Sequence, residues 1–238
     1  ILRKPNKPET LARSYRPITL LNCLGKVLEK VVQKRLASLT VDTIPKQQFG
    51  GRNGFSTADA LAKLISYTEV NQSWNRVTSI LAIDIKGAFD NVHKGVLLKT
   101  MSDMGLPEAS KLWVSHFLGG RRTSLIIDGK VTEPRRVDSG IPQGSPISPL
   151  LFLIYTSSLY LKIKEAGAHV VGFIDDITIY KGGRDVDKNT ATLSRVLQIC
   201  HEWAQECHTE FDYGDKLGFL HIHKSKRGRP KKRKNEVQ

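Results

Sequence analysis

Residues 170–180 read Val-Val-Gly-Phe-Ile-Asp-Asp-Ile-Thr-Ile-Tyr, so Asp175 and Asp176 interrupt an otherwise apolar, β-branched run. Such a run favours a pair of strands, and the acidic dipeptide falls where they would be joined. The pattern therefore predicts an apolar hairpin carrying two carboxylates at its tip. Negative charge concentrated on a rigid element suits a divalent cation. The plainer alternative is a type I′ turn that happens to be acidic.

A second apolar run, Ile80-Leu-Ala-Ile-Asp84-Ile85, ends in a lone carboxylate and continues as Lys86-Gly-Ala-Phe89-Asp90. A third carboxylate from a separate strand is what a two-metal phosphoryl-transfer centre needs. Between the runs, Ser139-Gly-Ile-Pro-Gln143-Gly144-Ser-Pro-Ile-Ser148-Pro149 leads into Leu-Leu-Phe-Leu-Ile-Tyr155. Ser148 reads as an N-cap and Pro149 as a first helical residue. Gly140 and Gly144 allow close backbone approach, and Gln143 offers a ligand both donor and acceptor groups. A tight loop feeding a core helix would account for the same composition.

These blocks, taken in order, resemble the reverse transcriptase family, most closely the polymerase domains of non-LTR (LINE-type) retrotransposons. Lys4-Pro-Asn-Lys-Pro8, Ser14-Tyr-Arg16-Pro-Ile and Leu24–Leu36 look like the family's first fingers block. Gln48-Phe-Gly-Gly-Arg52-Asn-Gly-Phe55-Ser-Thr-Ala-Asp59 looks like the next, with Phe55 where basic residues are usual. Leu106-Pro followed by Trp113–Thr123 also belongs to the pattern.

The resemblance implies an α+β right-hand polymerase of fingers (about 1–75) and palm (about 76–223, with interleaved fingers elements), lacking a thumb. It implies two Mg²⁺ ions, with Mn²⁺ as a possible substitute, and the partners RNA template, DNA primer and deoxynucleoside triphosphates. Asp84 and Asp175 would hold the metals, with Asp176 more peripheral by strand alternation and the Ile85 carbonyl as a further oxygen ligand. Phe89 matches a steric gate against the ribose 2′-hydroxyl, although core packing would also explain it. Gln143 and Gly144 would border the nucleotide. Arg16 would contact the triphosphate, and Lys216 would protonate leaving pyrophosphate unless it is an ordinary surface lysine. An RNA-dependent RNA polymerase shares the carboxylate logic but is disfavoured by Phe89. A silent remnant that folds and only binds nucleic acid is the alternative from another class.

Composition agrees. The 238 residues carry 37 Lys and Arg against 23 Asp and Glu, a net +14, and residues 224–234 hold eight of the basic residues with no acid. Without those eight the chain still carries +6, so body and tail both favour a polyanionic partner. The tail, with Arg227, Arg229, Lys231, Lys232, Arg233 and Lys234, reads as disordered. Nuclear import, an AT-hook entering the minor groove, or a scar in a decaying element would each explain it. No apolar run of about 18 residues points to a membrane span, and Ile at position 1 rather than Met reads as a fragment.

Three cysteines, Cys23, Cys200 and Cys207, suit a reducing compartment. The neighbouring His201 and His208, with His221 and His223, invite a zinc site, but helical periodicity from Leu193 to Cys207 puts both thiols on a buried face instead.

Periodicity and turn signals predict helices over 24–39, 58–67, 94–104, 107–118, 149–166 and 192–207. Strands are predicted over 77–83 and 219–223, with a further hairpin about Asp128-Gly129.

Overall fold

A computed structural model describes residues 1–5, 8–11, 14–127, 129–214 and 217–224. Asp128, Lys216 and the basic residues of the tail from position 225 onward lie outside the described residues. The architecture is α+β. Element order is β1 (Leu2–Arg3), β2 (Tyr15–Arg16), α1 (Cys23–Thr40), α2 (Thr57–Ser73), β3 (Val77–Asp84), α3 (Lys94–Asp103), α4 (Glu108–Leu118) and β4 (Arg122–Thr123). It continues through β5 (Ile126–Ile127), β6 (Lys130–Val131), β7 (Arg135–Arg136), α5 (Ser148–Glu165), β8 (His169–Phe173), β9 (Asp176–Gly183), α6 (Val186–Glu206) and β10 (Gly218–Ile222).

At the centre is an antiparallel sheet of order β10-β3-β9-β8. Strand alternation splits its apolar residues between two faces. Leu81, Ile83, Val170, Ile177 and Ile179 join the main core with α5 and α6. Ile80, Val171 and Tyr180 join Phe49 and Ala60, with Leu64 and Tyr67 of α2, on the other face. Strands β3, β8 and β9 are thus covered on both sides, which is why they read as nearly continuous apolar runs, whereas the edge strand β10 leaves Phe219 and Leu220 exposed.

Helix ends follow local chemistry. Ser56 caps α2 in a capping box with Asp59, and the helix runs on to Ser73, beyond the expected 67. Tyr67 explains the extension, since its hydroxyl accepts from the Gly182 amide at 2.9 Å and ties the later turns to the sheet. Helix α6 begins at Val186 rather than 192 because Asp185 accepts from the amides of Asp187 and Lys188. Ser148 departs from its expected role. Ile147 is the N-cap, Ser148 is already helical, and its buried hydroxyl has no hydrogen-bond partner among the described residues. The chain turns earlier, through Ser145, whose carbonyl accepts from the Ser148 amide at 3.3 Å, and the Leu151 amide that a Ser148 cap would bind donates to the Ile147 carbonyl at 3.1 Å instead.

Cys200 and Cys207 are buried and Cys23 is exposed. Burial pushes the Cys200 thiol up to about 12 and, with the nearby Glu206, that of Cys207 to about 11. These thiols are packing groups.

Candidate active site

Strand β3 delivers Asp84 as its last residue, which is buried at 7% exposure. The ladder pairs Asp84 directly with Asp176, the first residue of β9. Directly opposed residues of an antiparallel pair share a face, so these two carboxylates project together at one end of the sheet. Asp175 precedes Asp176 in the connection between β8 and β9. Since Phe173 pairs with Asp176, that connection is a two-residue loop of Ile174 and Asp175. Only Ile174 has a positive φ, 59°. A type I′ turn needs positive φ at both positions, so the acidic I′ turn is excluded.

Past Asp84 the chain makes an isolated bridge, Ile85 with Phe211. The bonds around it run from the Lys86 amide to the Glu210 carbonyl and from the Asp212 amide to the Asp84 carbonyl, each 2.8 Å. That pattern turns the Ile85 carbonyl away from Phe211, toward the side where the Ile174-Asp175 loop lies. Three carboxylates and a carbonyl oxygen therefore share one end of the sheet. Oxygen-only donors match a hard cation such as Mg²⁺ or Mn²⁺. Among the described residues, no three His, Cys, Asp or Glu side chains are gathered into a ready metal cage.

A second group forms beside this end. Phe89 is half-buried and stacks on Phe152 of α5, ring centres 5.4 Å apart and 12° from parallel. Its carbonyl accepts from the Ile141 amide at 2.7 Å, which ties the segment after β3 to the Gly/Pro loop. Gln143 donates from Nε2 to Asp90 Oδ1 at 2.8 Å, and its carbonyl accepts from Thr19 at 2.8 Å. Gly140 and Gly144 have φ of 77° and 105°. A Cβ on Gly140 would lie 2.7 Å from the Asp90 carbonyl oxygen, so glycine is required there.

Arg121 spans the same loop, donating from Nη2 to the carbonyls of Ser139 at 2.8 Å and Gly140 at 2.6 Å. Burial lowers its pKa from the ordinary value, an effect countered by Asp138. A cavity of about 880 Å³ opens here between Pro17–Leu21, the β4–β5 segment and Ser139–Gln143. Arg16 sits exposed in β2, just before the segment that lines this cavity.

The structure thus brings Asp84, Ile85, Asp175 and Asp176 to one sheet end, and Phe89, Gln143 and Gly144 to the adjoining loop layer. Sequence reading gave no role to three residues of this neighbourhood. Asp90 holds the Gln143 amide. Glu29 of α1, buried, accepts from the Ser145 hydroxyl within the same loop. Gln48, buried beneath the Ile174-Asp175 loop, holds both backbone groups of Ile174. Of the three, only Gln48 carried a signal, the two glycines that follow Gln48-Phe49 and allow close backbone approach.

The family model described as reverse transcriptase (RNA-dependent DNA polymerase) matches residues 2–216. The chain belongs to the reverse transcriptase family. Among curated relatives it is 36% identical over 194 residues to the retrovirus-related Pol polyprotein from type-1 retrotransposable element R1 of Bradysia coprophila, covering 81% of this chain and 19% of that protein. It is 29% identical over 222 residues to the RNA-directed DNA polymerase from mobile element jockey of Drosophila funebris, covering 90% of this chain and 24% of the relative. The chain therefore spans about a fifth to a quarter of the length of these non-LTR retrotransposon proteins. Among solved structures, telomerase from Candida tropicalis in complex with a telomeric RNA fragment superposes with TM-score 0.60 at 13% identity, over 84% of this chain and 34% of that one. The apo form truncated from its C-terminal domain gives 0.59, also at 13%, over 82% and 40%. These likenesses bear on the fold, a reverse transcriptase-like mixture of helix and sheet.

Proposed function

We propose that this chain carries the polymerase centre of a non-LTR retrotransposon and adds deoxynucleotides to a primer 3′-hydroxyl opposite an RNA template. The observation that carries this reading is the pairing of Asp84 with Asp176, with Asp175 in the adjoining loop, at the end of a sheet held on both faces. Burial of an acid such as Asp84 is costly and supports a site that uses its charge. Asp84, Asp175, Asp176 and the Ile85 carbonyl would hold two Mg²⁺ ions, which when bound would activate the hydroxyl and stabilise charge on the attacking and leaving oxygens. Carboxylates repel one another, so a cation would be needed to draw the three together. The hydroxyl gives its proton to water and its oxygen bonds to the α-phosphorus as the bond from that phosphorus to the bridging oxygen of the β-phosphate breaks, releasing pyrophosphate.

The chain's other residues position the nucleotide. Phe89, braced flat against Phe152, presents a ring that would exclude a ribose 2′-hydroxyl. Gln143, oriented by Asp90, would border the sugar and new base pair together with Gly144. Arg16 would pair with the triphosphate, as guanidinium geometry suits, and Lys216 is assigned by resemblance to the leaving pyrophosphate. We divide the chain into fingers over about 1–75 and palm over about 76–223, β10 being the last element among the described residues. The basic run at 224–234 is assigned to phosphate contacts and nuclear import. No helix among the described residues is long and apolar enough to cross a membrane.

Primer extension on an RNA template with Mg²⁺ tests the proposal. The purified chain should extend, Asp84→Asn and Asp175→Asn should abolish extension without loss of helix content, and Phe89→Val should admit ribonucleotides. Binding of template and primer without extension by the unaltered chain would instead make it a silent remnant. Undiminished extension by the Asn variants would remove these acids from the mechanism.

A further inference from the structure

The loop that carries Asp175 is held in a conformation its own sequence disfavours. A two-residue hairpin loop with positive φ only at its first position normally places glycine there. Here that position is Ile174, at φ 59°. A β-branched residue at positive φ is a genuine outlier, because Cβ crowds the backbone. Such a conformation persists only where its surroundings over-determine it.

Gln48 does this. It is 1% exposed. Its Oε1 accepts from the Ile174 amide at 3.0 Å and from the Gly50 amide at 3.0 Å. Its Nε2 donates to the Ile174 carbonyl at 3.2 Å and to the Tyr160 hydroxyl at 2.8 Å. The amide's orientation is forced, since reversing it would set an NH₂ group against two backbone N–H donors. The backbone around it is locked as well. Phe49 donates to the Gly172 carbonyl at 2.8 Å, and Gly172 donates to the Gln47 carbonyl at 2.9 Å. The approach is close enough that a Cβ on Gly50 would meet the Ile174 nitrogen at 2.5 Å, and one on Gly172 would meet the Tyr160 hydroxyl at 1.7 Å.

We propose that Gln48 is a positioning residue for the catalytic centre: its amide grips both backbone groups of Ile174, holding the loop so that Asp175 stands beside Asp84 and Asp176. The inference rests on reading Asp175 as a metal ligand. Gln48 touches neither substrate nor metal and acts through the loop backbone. Loss of a group that orients a metal ligand typically weakens metal affinity about 10–100-fold.

Mn²⁺ binding to the full chain, followed by electron paramagnetic resonance, supplies the test alongside kcat and KM for a deoxynucleotide. Gln48→Met should weaken Mn²⁺ binding by about 10–100-fold and lower kcat, with nucleotide KM nearly unchanged. Adding Ile174→Gly should restore much of that affinity, because glycine adopts positive φ without steric penalty. A folded Gln48→Met chain with unaltered Mn²⁺ affinity overturns the proposal, as does failure of Ile174→Gly to restore any of it. If Gln48→Met does not fold, Gln48→Glu replaces it, since the carboxylate keeps the acceptor for both amides and loses the donor. If the unaltered chain binds Mn²⁺ no better than Asp175→Asn, the metal reading itself fails. Hydrogen exchange at the Ile174 and Gly50 amides then decides the clamp alone: equal rates in wild type and Gln48→Met count against it, and in the Glu replacement, which keeps the acceptor for both amides, faster exchange counts against it.

Discussion

Helices α1 and α5 are both 18 residues long and both rich in apolar side chains, yet they are used in opposite ways. Twelve residues of α5 are buried, and it forms the floor on which Phe89 stacks and beside which the Gly/Pro loop ends. Only Glu29, Leu36 and Thr40 of α1 are buried. Its stripe of Leu24, Val27, Leu28 and Val31, spaced to share one helix face, points outward, with Leu24 80% and Val31 60% exposed. The face turned inward carries a carboxylate instead, because Glu29 takes the hydrogen bond of Ser145. Amphipathic spacing says which residues of a helix stand together. It does not say which way they face.

The largest effect should come from the floor. Phe152→Ala, removing a ring that is 1% exposed, should destabilise the fold by about 3–5 kcal/mol in denaturant unfolding, and should also loosen sugar discrimination by removing the support of Phe89. An intermediate cost belongs to α2, which covers the sheet's other face. Ser56→Ala breaks its capping box and should cost about 1 kcal/mol. The Ser56 bonds hold the Asp59 carboxyl below its ordinary 3.8, so the box contributes fully above that pH and is lost as acid protonates Asp59. The gap in melting temperature between Ser56→Ala and wild type should therefore narrow in acid. The smallest effect should come from α1, where Leu24→Gln and Leu28→Gln should each change stability by no more than about 0.5 kcal/mol. A loss as large as that of Phe152→Ala would show that the stripe is covered in the folded protein and collapse the contrast between the two helices.

Much of this fold and of its candidate site was legible in the sequence. The apolar run ending in Asp84 located β3 to within a residue, and the run over 170–180 located the β8–β9 hairpin, whose turn nevertheless falls on Ile174-Asp175 rather than on the acidic pair and whose second strand runs on to Gly183, because strands covered on both faces need near-continuous apolar residues. The order of Asp84, the Pro-Gln-Gly loop and Asp175-Asp176 carried the family. Gly140 and Gly144 were marked for close approach, and both take positive φ. Ser148 misled because its sequence signature is local, whereas the turn into α5 is made by Ser145.

By itself, then, the sequence determined the helices α1 to α6, the strands β3 and β10, the two hairpins β5–β6 and β8–β9, and the periodicity of each, all of which depend on neighbours a few positions away. Tertiary structure alone decided the register that sets Asp84 against Asp176, the outward turn of α1, and the grip of Gln48 on Ile174. These contacts join residues 92, 116 and 126 positions apart. Their geometry follows from the fold's closure, since no local preference would place an isoleucine at positive φ or bury the face of α1 that carries Glu29.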